Sequence, residues 1–187
     1  MDSFRGYSKF YNHDNKDTAD RMRKAGVDEP DIIWVGNEKV HGSNFSFWTD
    51  GTEVKTAKRT GFLDENSNFF NCSIIVDKYK QNILDLYQRS GSVGVFTVYG
   101  ELFGGNYNNP NIRNKNVKVI QRDMSYHPDI EFIVFDVRMD DEEYIQDYDT
   151  LRLLVIESGL KFVPEVVRGS WDEVKDYDVE NGHSTVY

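Results

Sequence analysis

The sequence is short of cysteine, of long apolar runs and, on balance, of positive charge, and each shortage removes a class of explanation. Cys72 is the only cysteine among 187 residues, so neither an intrachain disulfide nor a cysteine-based zinc cluster can form. That points to a reducing, intracellular setting, cytoplasmic or otherwise, and to Cys72 as a small packing residue rather than a nucleophile. No apolar stretch approaches the roughly 20 residues that a membrane span requires, and the opening Met1-Asp2-Ser3-Phe4-Arg5-Gly6 lacks the apolar run of a signal peptide. Twenty-two Lys and Arg stand against 32 Asp and Glu, a formal net charge of −10. Wholesale electrostatic binding of nucleic acid does not fit such a balance, because phosphate contacts need cations.

The balance has one local exception. From Leu102 to Arg122 there is no acid, while Arg113, Lys115, Lys118 and Arg122 all fall there. The acids gather later, in Asp140-Asp141-Glu142-Glu143 and between Asp172 and Glu180. A basic loop on an acidic body fits a local contact with a phosphate backbone and, equally, a plain solvated loop.

What is present suffices for one domain over 1–187 with a real core. Residues 14–25 read as a polar helix capped by Asp14 or Asn15. Ile32-Ile33-Trp34-Val35 and Phe45-Ser46-Phe47-Trp48 read as strands, Thr49-Asp50-Gly51-Thr52 as a hairpin turn, and 53–59 as a third strand. Together they predict an antiparallel meander with Lys39 on its first connection. Ser73 to Arg89 carries apolar residues at helical spacing and stops at Gly91. Val93 to Leu102 predicts a buried strand ending in Gly104-Gly105, followed by an Asn- and Pro-rich loop from Asn106 to Asn116. Phe132 to Val137 predicts a core strand, paired with Tyr144-Ile145 across the acidic turn. A helix over 148–157 ends at Gly159, an edge strand runs over 162–167 despite Pro164, and Ser170 caps a short helix from Trp171 to Lys175. No repeat, linker or low-complexity tract interrupts this pattern. The fold class is α+β, mostly antiparallel sheets with flanking helices.

Four segments stand out from that scaffold. Glu38-Lys39-Val40-His41-Gly42-Ser43-Asn44-Phe45 sets a lysine between two strand-like runs. A nucleophilic lysine needs such a frame to hold its amine against a partly desolvated pocket. Gly42 permits a close backbone approach, and Asn44 offers donors and an acceptor. Ala57-Lys58-Arg59-Thr60-Gly61 puts two cations at a strand end, Tyr99-Gly100-Glu101-Leu102-Phe103-Gly104-Gly105 sets a carboxylate between glycines, and Phe135-Asp136 ends a core strand. Singly, each reads as an ordinary strand lysine, a solvated pair, a turn acid and a core ring. Jointly they supply a nucleophile, phosphate cations, a ribose acceptor and a base-stacking ring.

At these segments the chain resembles the covalent nucleotidyltransferases, and within them the RNA ligase 2-like branch that includes the kinetoplastid RNA-editing ligases. The likeness runs from about Asp31 to Val179, and Gln121-Arg122 and Val167-Arg168-Gly169 also match the editing ligases. It implies a nucleotidyltransferase (ATP-grasp-like ligase) domain. It further implies that Lys39 attacks the α-phosphate of ATP, releases pyrophosphate and becomes lysyl-AMP. The AMP then passes to an RNA 5′-phosphate, and a 3′-hydroxyl displaces it to seal nicked or broken ends. By the same resemblance Glu38, Val40 and Asn44 line the nucleotide, Arg59 contacts phosphate or ribose, Lys58 serves the phosphates too, Glu101 binds the ribose and Phe135 stacks on adenine. Magnesium (Mg2+) would assist, with its protein ligands unknown.

Two motifs that the resemblance leads one to expect are not found between Asp136 and Tyr187. One is a Glu-Gly-hydrophobic-Val segment serving the metal, the other a Lys-x-Lys strand gripping the triphosphate; the lysines in that interval are Lys161 and Lys175 alone. The domain is therefore expected to be incomplete at its C-terminus, as part of a longer ligase, a shortened gene product or half of a split enzyme with a second chain. By itself it is expected to seal RNA weakly or not at all. The competing reading is a non-catalytic ligase-like domain that binds adenine nucleotide or a partner; a GTP-using capping-type guanylyltransferase is a third.

Overall fold

The computed structural model describes residues 4–8, 15–26, 29, 31–139, 143–179, 184 and 186. These residues fall into two units. The first comprises Val40–Val163 with the N-terminal residues up to Tyr7, and the second takes Ser8–Lys39 with Pro164–Val186. The chain crosses between them at Lys39–Val40 and at Val163–Pro164.

The first unit is built on an antiparallel six-stranded sheet. In chain order its strands are β2 (Ser43–Thr49), β3 (Val54–Lys58), β4 (Gly61–Phe62), β5 (Phe96–Asn106), β6 (His127–Met139) and β7 (Glu143–Tyr144), and in space they run β4-β3-β2-β5-β6-β7. The β2–β3 hairpin forms where predicted. Asp50 Oδ1 accepts from the Thr52 and Glu53 amides at 3.0 and 3.2 Å, and Gly51 supplies the left-handed φ of +90°. Period-2 alternation then sorts the side chains. Phe45, Phe47, Val98, Leu102, Phe132, Val134 and Val137 enter one core with Ile75, Tyr79, Ile83 and Leu86 of α2 (Cys72–Ser90) and with Leu151 and Val155 of α3 (Tyr148–Glu157). The α2 residues recur at three- and four-residue steps, so one stripe of the helix meets the sheet. Gly91 and Gly159, at φ +71° and +75°, end the two helices. Cys72 is buried at the first turn of α2, and burial pushes its thiol up, which suits packing rather than nucleophilic chemistry.

Two expectations change here. Val93 is 90% exposed and lies outside β5, which starts at Phe96, where pairing with Thr49 begins. β5 also continues through Gly104-Gly105, because β6 reaches back to His127 and keeps a partner beside the glycines.

The second unit joins distant parts of the sequence. Here β1 (Trp34–Asn37) pairs antiparallel with β8 (Glu165–Gly169), from Trp34 opposite Gly169 to Asn37 opposite Glu165. The predicted meander is thus corrected: the strand before Lys39 pairs with β8, not with β2. Proline separates β8 from Phe162, which instead makes a parallel bridge to Val134 in the first unit's sheet. Trp34 packs on Trp171 of α4 (Trp171–Lys175) at 4.8 Å between ring centroids. Ser170 caps that helix in a full capping box with Glu173. The polar helix α1 (Lys16–Lys24) is capped by Asn15, whose Oδ1 accepts from Asp17 N–H at 2.9 Å; Asp14 lies outside the described residues. Among the described residues no helix is long and apolar enough to cross a membrane.

One ionic cluster sits in the first unit, beside the core. Glu131, 1% exposed, accepts from Lys78 Nζ at 2.7 Å, Lys161 Nζ at 2.8 Å and Tyr79 Oη at 2.8 Å, and from the Phe132 amide at 3.0 Å. Burial pushes its carboxyl up, but the four donors outweigh burial and hold it at about 2. A carboxylate depressed below its unfolded value stabilises the fold above roughly pH 4.3 and loses that contribution as pH falls toward 2. Denaturant titrations from pH 7 to pH 2 should show stability falling over that window. Glu131→Gln should cost about 2–4 kcal/mol at pH 7 and flatten the acid limb; an unchanged acid limb would show that the cluster carries no stability.

Candidate functional site

Alternation leaves a second set of side chains on the sheet face opposite α2, here called the far face. Cross-strand rows define it. Asn44 of β2 lies opposite Glu101 of β5, which lies opposite Ile133 of β6; one row on, Ser46 lies opposite Tyr99, and then Trp48 opposite Thr97 and Thr97 opposite Arg138. Between these rows stand Phe45, Gly100 and Val134, which face the core. Gly100 is required there: a Cβ would stand 2.3 Å from Ile133 O and 2.4 Å from the Phe132 ring.

A bulge then re-aims β6. Val134 pairs with Gly100, but Asp136, not Phe135, pairs with Tyr99, so Phe135 is the extra residue of the strand. Bulges of this kind bend a strand and turn a side chain to a new use. The result is that both Phe135 and Asp136 meet the N-terminal segment. The Tyr7 ring packs edge-on against Phe135 at 4.9 Å and lies 4.9 Å from Tyr99, while its hydroxyl donates to Asp136 Oδ2 at 2.6 Å. Tyr99 Oη in turn donates to the Arg5 carbonyl at 3.1 Å, and Phe4 packs on Trp48 and Phe62. Residues 4–7 therefore form a strap along the far face. Burial pushes the Asp136 carboxyl up, against the lowering effect of the Tyr7 hydroxyl and the Val137 amide. Burial likewise raises the Tyr7 phenol, with Asp136 adding to it, and holds Tyr99 at about 12.

Glu101 is fixed from the connection that precedes β2. Its Oε1 accepts from Gly42 N–H at 3.1 Å, and the Gly42 carbonyl accepts from Gln121 Nε2 at 2.8 Å. Gly42 runs so close to β5 that a Cβ would lie 1.9 Å from Leu102 O. Val40, two residues earlier, is 6% exposed.

Of the predicted residues, Asn44, Glu101 and Phe135 share the far face. Lys58 does not. It pairs with Phe45, so its side chain leaves β3 on the α2 side, where it is exposed. Lys58, the last residue of β3, therefore points to the face opposite Asn44 and Glu101. Arg59 stands in the β3–β4 turn, where its carbonyl would lie 3.4 Å from a Cβ on Gly6 of the strap. Glu38 and Lys39 end the first part of the second unit. The Glu38 amide donates to Pro164 O at 2.8 Å, its carboxylate accepts from the Ser184 hydroxyl, and the Lys39 side chain is exposed. Tyr7 is absent from the predicted residues. A tyrosine near an N-terminus carries no pattern, and only the fold brings it to Phe135.

Comparison with known proteins bears on what this arrangement serves. Residues 32–184 match the family model for RNA ligases. The chain is 27% identical over 209 aligned positions to the mitochondrial RNA-editing ligase 2 of Trypanosoma brucei brucei, covering 98% of this chain and 49% of that protein. It is 31% identical to the mitochondrial RNA-editing ligase 1 of the same organism, over 79% of this chain and 38% of that one. The chain thus spans half or less of the length of these relatives. Among solved structures, a Naegleria gruberi RNA ligase variant with ATP and Mn superposes with a TM-score of 0.56 at 13% identity, over 80% of this chain and 40% of that one. A second variant, with AMP and Mn, gives 0.55 at 14%. At such identity the likeness establishes the fold alone, a mixed α/β architecture with antiparallel sheets shared with these RNA ligases.

The tight approach of Gly42 to β5 gives a direct check on how Glu101 is held. Gly42→Ala should push the connection off Leu102 and lower stability by about 1–3 kcal/mol, a drop of several degrees in Tm at this size. Thermal unfolding measures it, and a Tm unchanged within a degree would contradict the close packing.

Proposed function

This chain belongs to the RNA ligase family, and from that premise we propose that it forms the nucleotide-binding part of an ATP-dependent RNA ligase in which Lys39 takes up AMP. The observation that carries the reading is the grouping of Asn44, Glu101 and Phe135 on one sheet face, with Glu101 tied to the backbone three residues from Lys39. Each member has a task suited to its chemistry. Phe135, turned by the bulge, offers its ring to adenine, and Tyr7 packs at its edge. Glu101 accepts from ribose hydroxyls while Gly42 N–H keeps the carboxylate in place. Asn44 gives an amide beside it, and Val40 and Glu38 bracket the lysine in sequence. Arg59 takes the phosphate role that Lys58 is turned away from.

The chemistry follows. The Lys39 amine attacks the α-phosphorus with loss of a proton to solvent, the bond to the β-phosphate oxygen breaks, and pyrophosphate leaves with its electron pair. An RNA 5′-phosphate oxygen then displaces lysine, giving an RNA capped by AMP through a pyrophosphate link. A 3′-hydroxyl attacks the RNA phosphorus of that link, and AMP leaves with the strand joined. Among the described residues no three His, Cys, Asp or Glu are grouped to hold an ion. Magnesium, when bound with ATP, would supply neutralisation of the phosphate charge.

Incubation with ATP labelled at the α-phosphate, followed by denaturing electrophoresis, tests the proposal. The chain should acquire covalent AMP only weakly, for want of the metal and triphosphate motifs, and Lys39→Ala should lose the label entirely. Arg59→Ala should slow labelling about a hundredfold, the usual cost of removing one charge-stabilising donor. Equal labelling of the Lys39→Ala protein would refute the assignment.

A further inference from the structure

The nucleotide reading leaves the basic stretch after β5 without a task, and the structure gives it a definite form. The loop is pinned from beneath: Val117 and Ile120 are buried in the core, and Asn106 Nδ2 donates to the Arg122 and Met124 carbonyls at 3.0 Å. Asn109 closes one turn by accepting from the Asn111 amide, Asn114 closes another on Asn116, and the Lys118 amide donates to Asn71 Oδ1. Above these anchors Lys115, Lys118 and Arg122 are exposed, with Arg113 half-buried and bonded through Nε to the Gly105 carbonyl. Ile112, 57% exposed, stands among them. Asp129, at the start of β6, is already engaged by the Asn114 amide. The far end of the loop is joined to the site, since Gln121 donates to Gly42 and Gly42 to Glu101.

We propose that the loop from Asn106 to Arg122 is a docking surface for the phosphate backbone of single-stranded RNA, leading the reacting end toward Glu101. This rests on the ligase reading and names the surface by which that site receives its substrate. Four cations without an acid among the residues from Leu102 to Arg122 set a local positive stretch on a chain of net charge −10. Exposed Asn108, Asn111 and Asn116 offer donors and acceptors to ribose hydroxyls and base edges. Because the loop is already ordered by its own turns, binding need not supply the cost of ordering it.

Fluorescence anisotropy of a labelled single-stranded oligoribonucleotide, across a salt series, tests this. The double variant Lys115→Gln with Lys118→Gln should bind about tenfold more weakly near 0.1 M salt. Its slope of log affinity against log salt should fall by about 1.4, at roughly 0.7 for each phosphate no longer neutralised. Covalent AMP labelling in the absence of RNA should be unchanged, and Lys115→Gln alone, at an exposed position, should show about half the slope change. Equal affinity and slope in variant and wild type would overturn the proposal, as would no RNA binding by the wild type. Weakened RNA binding together with no AMP label in either protein would support the loop and refute the role of Lys39.

Discussion

Opposite the step from Tyr99 to Gly100, β6 carries one residue more than β5, and the character of the far face depends on that bulge. Without it, Phe135 and Asp136 would continue the alternation and point to opposite sides of the sheet. With it, a ring and a carboxylate appear together beside Tyr99, and Tyr7 can pack on one while donating to the other. On the other side of the same sheet the alternation is undisturbed, so Phe45, Val98 and Phe132 fill the core against α2. The fold thus keeps the apolar core and the polar and aromatic far face on opposite sides of one set of strands.

Two acids of β6 have contrasting surroundings. Glu131 and Asp136 stand on one strand, both withdrawn from water. Glu131 has two ammonium groups, a phenol and an amide around it, and stays ionised far into acid. Asp136 accepts from the Tyr7 phenol and the Val137 amide, and these do not offset its burial, which pushes it up. The first arrangement consolidates a core. The second places a weakly solvated acceptor at the edge of the aromatic cluster.

Local pattern made much of this legible. The helical stripe of α2, the Asp50-Gly51 hairpin, the Asn15 and Ser170 caps and the helix-ending glycines are all short-range chemistry, and each sits where the residues predict. Glu101, Asn44 and Phe135, singled out by their motif frames, do share a face. What was hidden was non-local. β1 pairs with β8 from the far end of the chain, which adjacent hydrophobic runs cannot announce. The bulge leaves no residue signature, and Tyr7 gains meaning only from where the strap lies. Lys58 sits beside Arg59 in one motif, yet strand parity sends it to the opposite face.

The central claim is that the far face, sorted by alternation and the bulge, seats the adenine nucleotide. Equilibrium titration of ATP against Phe135→Ala and Lys58→Ala tests it most directly. Loss of the stacking ring should weaken binding about tenfold or more, at roughly 1–3 kcal/mol for a base on an aromatic face, whereas Lys58→Ala should stay within about twofold. If Lys58→Ala weakened binding strongly and Phe135→Ala left it unchanged, the nucleotide would lie on the other side of the sheet and the account would be wrong.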